Sequence, residues 1–523
     1  MTFHRRSIFI LLAILSPAFV SAQTFPGKLK EFITGFSFSS IQYPKEVKEF
    51  YSLNNYEFSW LEKQNSSALS LLAKNIQSSE TFGLVQEDYQ PELFKAYSAV
   101  PFAPANEYDS LLAELKFTDA AIHFLHDVML GNKTEPVSYD GLKYIPSCYN
   151  AGALLNVYLT LGRFTEMLAE LEPKQAEYKA VKSKLNLFQQ MIAADNFKDV
   201  YVTASKNIST NKPLLTRLYQ LGFLSSDTLL LNEAAAKAKL KEAQKLFSLL
   251  SDGTLRSTTV QALNVPLQAR IAELKLTLNT LRWLHCMKQE QHVVIVNIPS
   301  ATLLLYEHDK PVMESRIIVG KRSTPTPTLS STITEVILYP YWNVPYKIAT
   351  RELLPHIKRN PGYINANNYQ VLNSNGKVVD PGSVNWGSLS AGNFPYTIRQ
   401  STGCDNALGL IKLNFYNPFS VYLHDTPGKS LFGLNKRYFS HGCMRTEKAM
   451  ELGRYILKEN SIAIDTLTQK GCLKNQSPII VPATEKIPVF VLYHTAWTDA
   501  AATVRFYDDV YNKALAIKNK YGL

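Results

Sequence analysis

Cysteine is scarce in this chain, with five in 523 residues, at positions 148, 286, 404, 443 and 472. An odd count leaves at least one thiol without an intramolecular partner even where the others pair. Around Cys443 no CxxC or HxxxH pair accompanies the thiol, so the paired ligand spacing of structural zinc is missing. No cysteine stands at a lipoprotein cleavage position behind the N-terminal apolar run. No later stretch is long and apolar enough to span a bilayer. Also absent is any basic run with interleaved aromatics of the kind that tracks a phosphate backbone. The net charge of +11 therefore reads as a solvated basic surface, attracted without specificity to an anionic wall or membrane, and nucleic acid is not an expected partner.

What is present begins with an export signal. His4, Arg5 and Arg6 precede an apolar run over residues 8–20, and Ser21 and Ala22 supply a small-residue cleavage site, so residues 1–22 are expected to be a signal peptide. The expected location is the periplasm or cell envelope, with membrane attachment only if the leader is retained. Cysteines often pair in that compartment. A chain of 523 residues with 46% hydrophobic and 19% charged residues is an ordinary globular composition, long enough for several domains.

Helical periodicity dominates residues 23–208. Leu111, Leu112, Leu115, Ala120, Ile122, Phe124 and Leu125 form one apolar stripe, and Leu161, Phe164, Met167, Leu168 and Leu171 form another. Pro173 punctuates the second, and Tyr178, Val181, Leu185 and Phe188 open a third. His123 and His126 share a helix face, and ordinary helix positions are the simpler account of them. Over residues 209–285 a helix is expected to end near Ser251, Asp252 and Gly253, with another starting after Thr258. From Gln291 the period changes to short β-branched runs, VVIVNI, TLLLYE, SRIIVGK and TEVILY. Residues 340–399 are polar and turn-rich, a loop-like insertion of a length that is usually functional. The fold class expected is a multidomain α+β protein with a helical N-terminal part and a β-rich C-terminal one. IPVFVLYHTAWTD reads as a further strand, and His494, on that strand, is expected to be structural.

Chemistry concentrates in residues 421–445, VYLHDTPGKSLFGLNKRYFSHGCMR. Cys443 follows Ser440, His441 and Gly442, and His424 lies nineteen positions upstream. A free thiol with pKa of about 8.5 is mostly protonated at neutral pH, so a nucleophilic cysteine needs a base or a cation nearby. Gly442 permits an unusual backbone turn that would aim the Cys443 amide outward, where it could serve an oxyanion. The apolar spacing after Cys443 predicts a helix whose N-terminus lies beside the thiol. The same residues are also compatible with an inert core cysteine or, less well, a metal ligand.

YLHDT at residues 422–426 and SHGCMR at residues 440–445 resemble the active-site block of the YkuD-type L,D-transpeptidases, cysteine acyltransferases of peptidoglycan. The segments VVIVNIPSATLLLYE, YWNVPYKIATRELLP, NALG and VFVLYHTAW resemble the large periplasmic branch of that family. Trp60 and GLVQEDY at residues 83–89 are similar to its helical scaffold. The resemblance implies a scaffold domain over 23–208, a small helical peptidoglycan-binding-like module over 209–285, and a β-rich catalytic domain over 290–523. Residues about 340–399 would form a lid inserted in the catalytic domain. The module is degenerate, with Lys245, Leu246 and Phe247 where its usual Phe-Gln pattern would stand.

The resemblance also implies roles. Cys443 would be the nucleophile and His424 its base. His441 would be a second base or, with Gly442, a contributor of oxyanion amides. Tyr422, Arg445, Asn406, Ser440 and Trp342 are candidate substrate contacts. No metal or organic cofactor is required. The partners implied are peptidoglycan stem peptides, with β-lactams, especially carbapenems, acylating Cys443. The expected reaction releases D-alanine from a tetrapeptide stem and forms a 3→3 crosslink. An L,D-carboxypeptidase or hydrolase using the same thioester, and a non-catalytic wall-binding scaffold, are the alternatives. Cys404 departs from the family pattern, and a reversible Cys404–Cys443 disulfide is a further expectation.

Overall fold

The computed structural model describes residues 25–35, 38–61, 66–99, 106–226, 230–461, 464 and 476–522. The expected signal peptide and Cys472 lie outside these. Among the described residues no helix is long and apolar enough to cross a membrane. The chain divides into two compact units. One holds the described residues up to 78 with 86–125 and 150–170, and the other holds 79–85, 126–149 and 171 onwards.

The first unit is helical. Its helices include Pro44–Leu53, Ser66–Gln77 and Ala151–Thr160, and it takes in most of Glu107–Leu130. Val47, Phe50, Tyr51, Trp60, Leu72, Leu115, Phe117 and Phe124 are fully buried, so the expected stripe in the long helix does face a core. Asn150 starts the helix Ala151–Thr160 by accepting from the Ala153 amide at 2.9 Å, satisfying a donor that has no partner within the helix. His123 lies against the rings of Tyr43 and Tyr89, at 5.4 and 4.9 Å, which is the surrounding of a core histidine.

The second unit is built around one sheet. In chain order its strands are β1 (Tyr139–Asp140), β2 (Val293–Asn297), β3 (Thr302–Glu307), β4 (Lys310–Gly320) and β5 (Leu329–Leu338). Within residues 340–400 lie β6 (Trp342–Asn343), β7 (Tyr369–Leu372), β8 (Val378–Val379) and β9 (Thr397–Gln400). Then follow β10 (Ile411–Phe415), β11 (Leu423–His424), β12 (Tyr438–Ser440), β13 (Met444–Thr446), β14 (Ile479–Leu492), β15 (Ala496–Thr498) and β16 (Val504–Phe506). The main sheet runs β1-β5-β10-β11-β13-β4-β3-β2-β14, and β14 pairs with β5 as well as β2, which closes the sheet on itself. Closure removes the open edges that an exposed sheet would present.

Both faces of this sheet are covered, which explains the unbroken apolar runs in its sequence. Val294, Val296, Leu303, Leu305, Ile317 and Val319 point inward to a core completed by Leu452 and Ile456 of the helix Ala449–Leu457. Val293, Ile295, Leu304 and Phe490 point outward into a cluster with Leu274, Leu281 and Leu284 of the helix Leu267–Glu290. Tyr178, Val181, Leu185 and Phe188 of the helix Ala176–Ala193 belong to that same outer cluster. A disulfide joins Cys148 to Cys286 on the central helix.

Three expectations change here. Residues 340–399 are not loop-like: β6-β9-β7-β8 form a separate sheet. Val344, Ile357, Ile364, Val371, Trp386 and Ile398 give it a core of its own, dispersed among turn residues in the sequence. The helix expected to end near Ser251 instead spans Glu233–Leu246, because Ser248 adopts a left-handed φ of 53° that ends it early. His494 lies between β14 and β15 rather than on a strand, buried against Trp497 and 3.2 Å from Glu135.

Candidate active site

Three short strands bring the chemistry together. β11 and β13 run parallel with His424 opposite Arg445, and on the other side of β11 strand β10 places Lys412 opposite His424. The Met444 amide donates to the Tyr422 carbonyl at 3.0 Å, which sets Cys443 beside Tyr422. β13 then pairs with β4 through Arg445 and Ile318. This pairing extends Met444–Thr446 as a strand, so the following helix starts only at Ala449. The expected helix N-terminus at the thiol is thus displaced, beyond the one-turn reach of a helix dipole.

The turn before the cysteine is fixed by small polar contacts. Gly442 has φ of 117°, a conformation that strains any residue with a Cβ. Its carbonyl accepts from Thr326 Oγ1 at 2.8 Å and its amide donates to Ser440 Oγ at 3.2 Å. Ser440 Oγ in turn donates to the Cys443 carbonyl at 2.6 Å. Ser440 is buried, so among the candidate contacts it holds the turn. Among the described residues the Cys443 amide has no acceptor, which leaves it available to an oxyanion.

Cys443 is a free thiol, partly exposed, with Sγ 3.9 Å from the Ser420 carbonyl. Burial pushes its pKa up. Against that act the Tyr422 backbone N–H and hydroxyl, both hydrogen-bonded to the sulfur, and the charges of Lys412 and Arg445. Burial holds Tyr422 as a neutral phenol, and a thiolate at Cys443 would hold it so more firmly, so it stays a donor. His424 is buried. Burial first, then the positive charges of Arg445 and Lys412, push its pKa down to about 3 against the hydrogen bond to Asp425. Its Nδ1 lies 2.6 Å from the Asp425 carbonyl and must donate there, so Nε2 carries the lone pair, the tautomer a base needs. The Asp425 carboxylate faces away: it accepts from the Leu410 amide at 3.0 Å and pairs with Lys429. Gly409 allows this approach, since a Cβ there would run into Asp425 Oδ2.

The remaining candidates separate. Arg445 sits next to the thiol, and burial lowers its pKa while Cys443 raises it. His441 is exposed and turned to the inserted segment 340–399, with Nε2 2.8 Å from Glu352 Oε1. Asn406 is fully buried, with Nδ2 donating to the Ser401 carbonyl at 2.8 Å and Oδ1 accepting from the Leu408 amide at 2.7 Å, so it shapes the NALG turn. Trp342 lies on β6 and packs against the core of that separate sheet. Cys404 is disulfide-bonded while Cys443 is free, which overturns the expected Cys404–Cys443 disulfide. Among the described residues no group of three or more His, Cys, Asp or Glu converges as a metal site.

Sequence reasoning missed Lys412, Glu352 and Thr326. Lys412 alternates with Ile411 and Leu413 in IKLNF, a signal that it faces away from the core. Its meeting with His424 depends on a strand register that the sequence does not display.

The YkuD family model, describing the L,D-transpeptidase catalytic domain, matches residues 291–464. The Scaffold domain model matches residues 45–185. A Haemophilus influenzae protein named "Putative L,D-transpeptidase" is 37% identical over 266 residues, 50% of this chain and 53% of that protein. The chain thus spans about half the length of the curated relative it matches. The solved "Structure of the Ldtfm-avibactam carbamoyl enzyme" is 14% identical, covers 38% of this chain and 48% of that one, and has a TM-score of 0.17, too slight a likeness to bear on chemistry.

Proposed function

We propose that this protein is an L,D-transpeptidase that forms 3→3 peptidoglycan crosslinks through a thioester on Cys443, a reading supported by the match of residues 291–464 to the L,D-transpeptidase catalytic domain. The observation that carries the reading is a free thiol next to Tyr422, whose ring lies 5.6 Å from that of His424, a neutral imidazole held in the tautomer a base needs. At rest both groups are uncharged, so the thiol proton passes to His424 Nε2 as sulfur attacks the donor carbonyl, not before. The thiolate that develops meets the Tyr422 hydroxyl, Lys412 and Arg445. The oxyanion meets the Cys443 amide. His424 then gives its proton to the departing D-alanine amine, and the acyl group stays on sulfur until an amine of a neighbouring stem takes it.

The substrate class is the peptidoglycan stem peptide, and carbapenems are expected to acylate the same sulfur. Export to the periplasm or envelope belongs to the proposal, and the Cys148–Cys286 disulfide supports an oxidising compartment. The division at residues 208 and 285 into scaffold, wall-binding-like module and catalytic domain is also part of it.

Incubation with a carbapenem followed by intact-mass measurement tests the nucleophile. One adduct is expected on the native chain and none on Cys443→Ala; an adduct that persists on the variant overturns the assignment. Muropeptide profiles of cells lacking the protein test the outcome, with loss of 3→3 dimers expected. Accumulated tetrapeptides without such loss would instead indicate a carboxypeptidase.

A further inference from the structure

The lid meets the active-site turn through an acid and an imidazole. Glu352 Oε1 lies 2.8 Å from His441 Nε2, with side-chain exposures of 49% and 33%. Glu352 belongs to a π-helical turn, Ala349–Leu353, a geometry frequent at functional sites. The charge of the lid makes this carboxylate unusual. Residues 341–400 contain six Lys or Arg and two acids, Glu352 and Asp380. Asp380 accepts from the Gly382 amide at 3.0 Å within its own turn. Glu352 is the acid turned toward the catalytic turn.

The other cations of the site act at the sulfur. Lys412 and Arg445 both favour the charged form of Cys443, and these are suited to a donor that ends in a carboxylate. A transfer reaction has a second substrate of opposite character, an ammonium that must shed its protons before it can attack. Lys412 and Arg445 would repel it. On the lid side of the turn Glu352 offers it negative charge.

We propose that Glu352 and His441 form the acceptor-amine site, Glu352 attracting the ammonium group and orienting His441, and His441 taking the amine proton. This rests on the thioester reading above. With Nε2–H held by Glu352, His441 Nδ1 carries the lone pair. The ammonium releases one proton to solvent. As the amine nitrogen bonds to the thioester carbonyl carbon, its next proton passes to Nδ1 and the carbon–sulfur bond breaks. The electron pair of that bond leaves on Cys443, which regains a proton from His441, restoring thiol and neutral imidazole. Glu352 is thus a recognition and positioning residue, whereas His441 touches the reacting nitrogen.

The test separates the two half-reactions in the full chain. Acylation is read by carbapenem adduct formation on Cys443. Transfer is read by dimer yield from a tetrapeptide donor and a tripeptide acceptor carrying a diamino acid at its third position. Glu352→Gln keeps a hydrogen-bond acceptor for His441 but removes the charge. Dimer formation should fall by about a hundredfold while adduct formation changes less than about twofold, and His441→Gln should behave likewise. Equal loss in both assays would make Glu352 a lid latch and overturn the proposal, as would no loss in either. A native chain that is acylated but makes no dimer defeats the acceptor site, whereas one that is never acylated defeats the thioester reading itself.

Discussion

Glu114 in the helical unit and His424 in the β-rich unit are both buried, and burial displaces both titrations: Glu114 is pushed up to about 7 and His424 down to about 3. Their surroundings differ in how completely each polar atom is matched. The Glu114 carboxylate accepts from the Ser59, Trp60 and Leu61 amides and from the Tyr51 hydroxyl, so both oxygens are engaged. Tyr51 and Trp60 extend the network to Thr118, at 2.6 and 2.8 Å. Such a network fixes the chain after the helix Pro44–Leu53 to the long helix, and nothing in it is left to meet a ligand. His424 has one nitrogen tied to a carbonyl and the other carrying a lone pair, in a site where the Cys443 amide has no acceptor among the described residues. A displaced pKa therefore marks burial in both places, and only the incompletely matched site has the means for chemistry.

The sharpest way to break this comparison is to remove the base. His424→Ala should slow carbapenem acylation of Cys443 by about a thousandfold while leaving thermal unfolding nearly unchanged. A time course of adduct mass measures the first and calorimetry the second. Because His424 is already neutral above about pH 3, the native acylation rate should show no acid limb near pH 6.5. A limb there would mean that a more exposed imidazole, such as His441, is the working base.

Glu114 should respond in the opposite way. Glu114→Gln leaves amide donors facing an NH2 group and should lower stability by about 2 kcal/mol, with acylation per folded molecule unchanged. The sign with pH is fixed by the raised folded pKa. The folded state binds the proton more tightly than the unfolded one, so the native contribution is full below 4.5 and is lost as pH rises through about 7. Melting temperatures of native and variant chains, measured across that range, should converge toward the alkaline end. A constant difference would mean that Glu114 does not titrate there.

The contrast also explains what was legible before the fold was known. Cys443, His424 and Gly442 stand in a short stretch whose residue types carry chemistry, so their grouping could be read locally. The β2–β5 runs were legible because both faces of the sheet are covered and the apolar signal is continuous. Lys412, Thr326 and Glu352 reach the site from β10, from the turn before β5 and from the turn Ala349–Leu353, joined only by tertiary pairing. The fold of residues 340–399 was hidden because its core residues are few and separated by Asn, Pro and Gly. The helix expected beside Cys443 failed for a related reason: pairing with β4 and β11 overrode a helical apolar spacing in Met444–Thr446.

The smallest effect concerns the residue that links the thiol to its base. Tyr422 gives Cys443 both a backbone N–H and a hydroxyl, and its ring lies 5.6 Å from that of His424. Tyr422→Phe removes the hydroxyl but keeps the amide, the ring packing and the charges of Lys412 and Arg445. A hydrogen bond to a charged group contributes about 1.5 kcal/mol or more, so acylation should slow by about tenfold. Because the hydroxyl favours the thiolate, its loss should also move the alkaline rise of the acylation rate to higher pH. If the rate fell without that displacement, Tyr422 would be acting on the position of the donor rather than on the sulfur. The contrast with Glu114, where every partner serves the fold, would then extend into the active site itself.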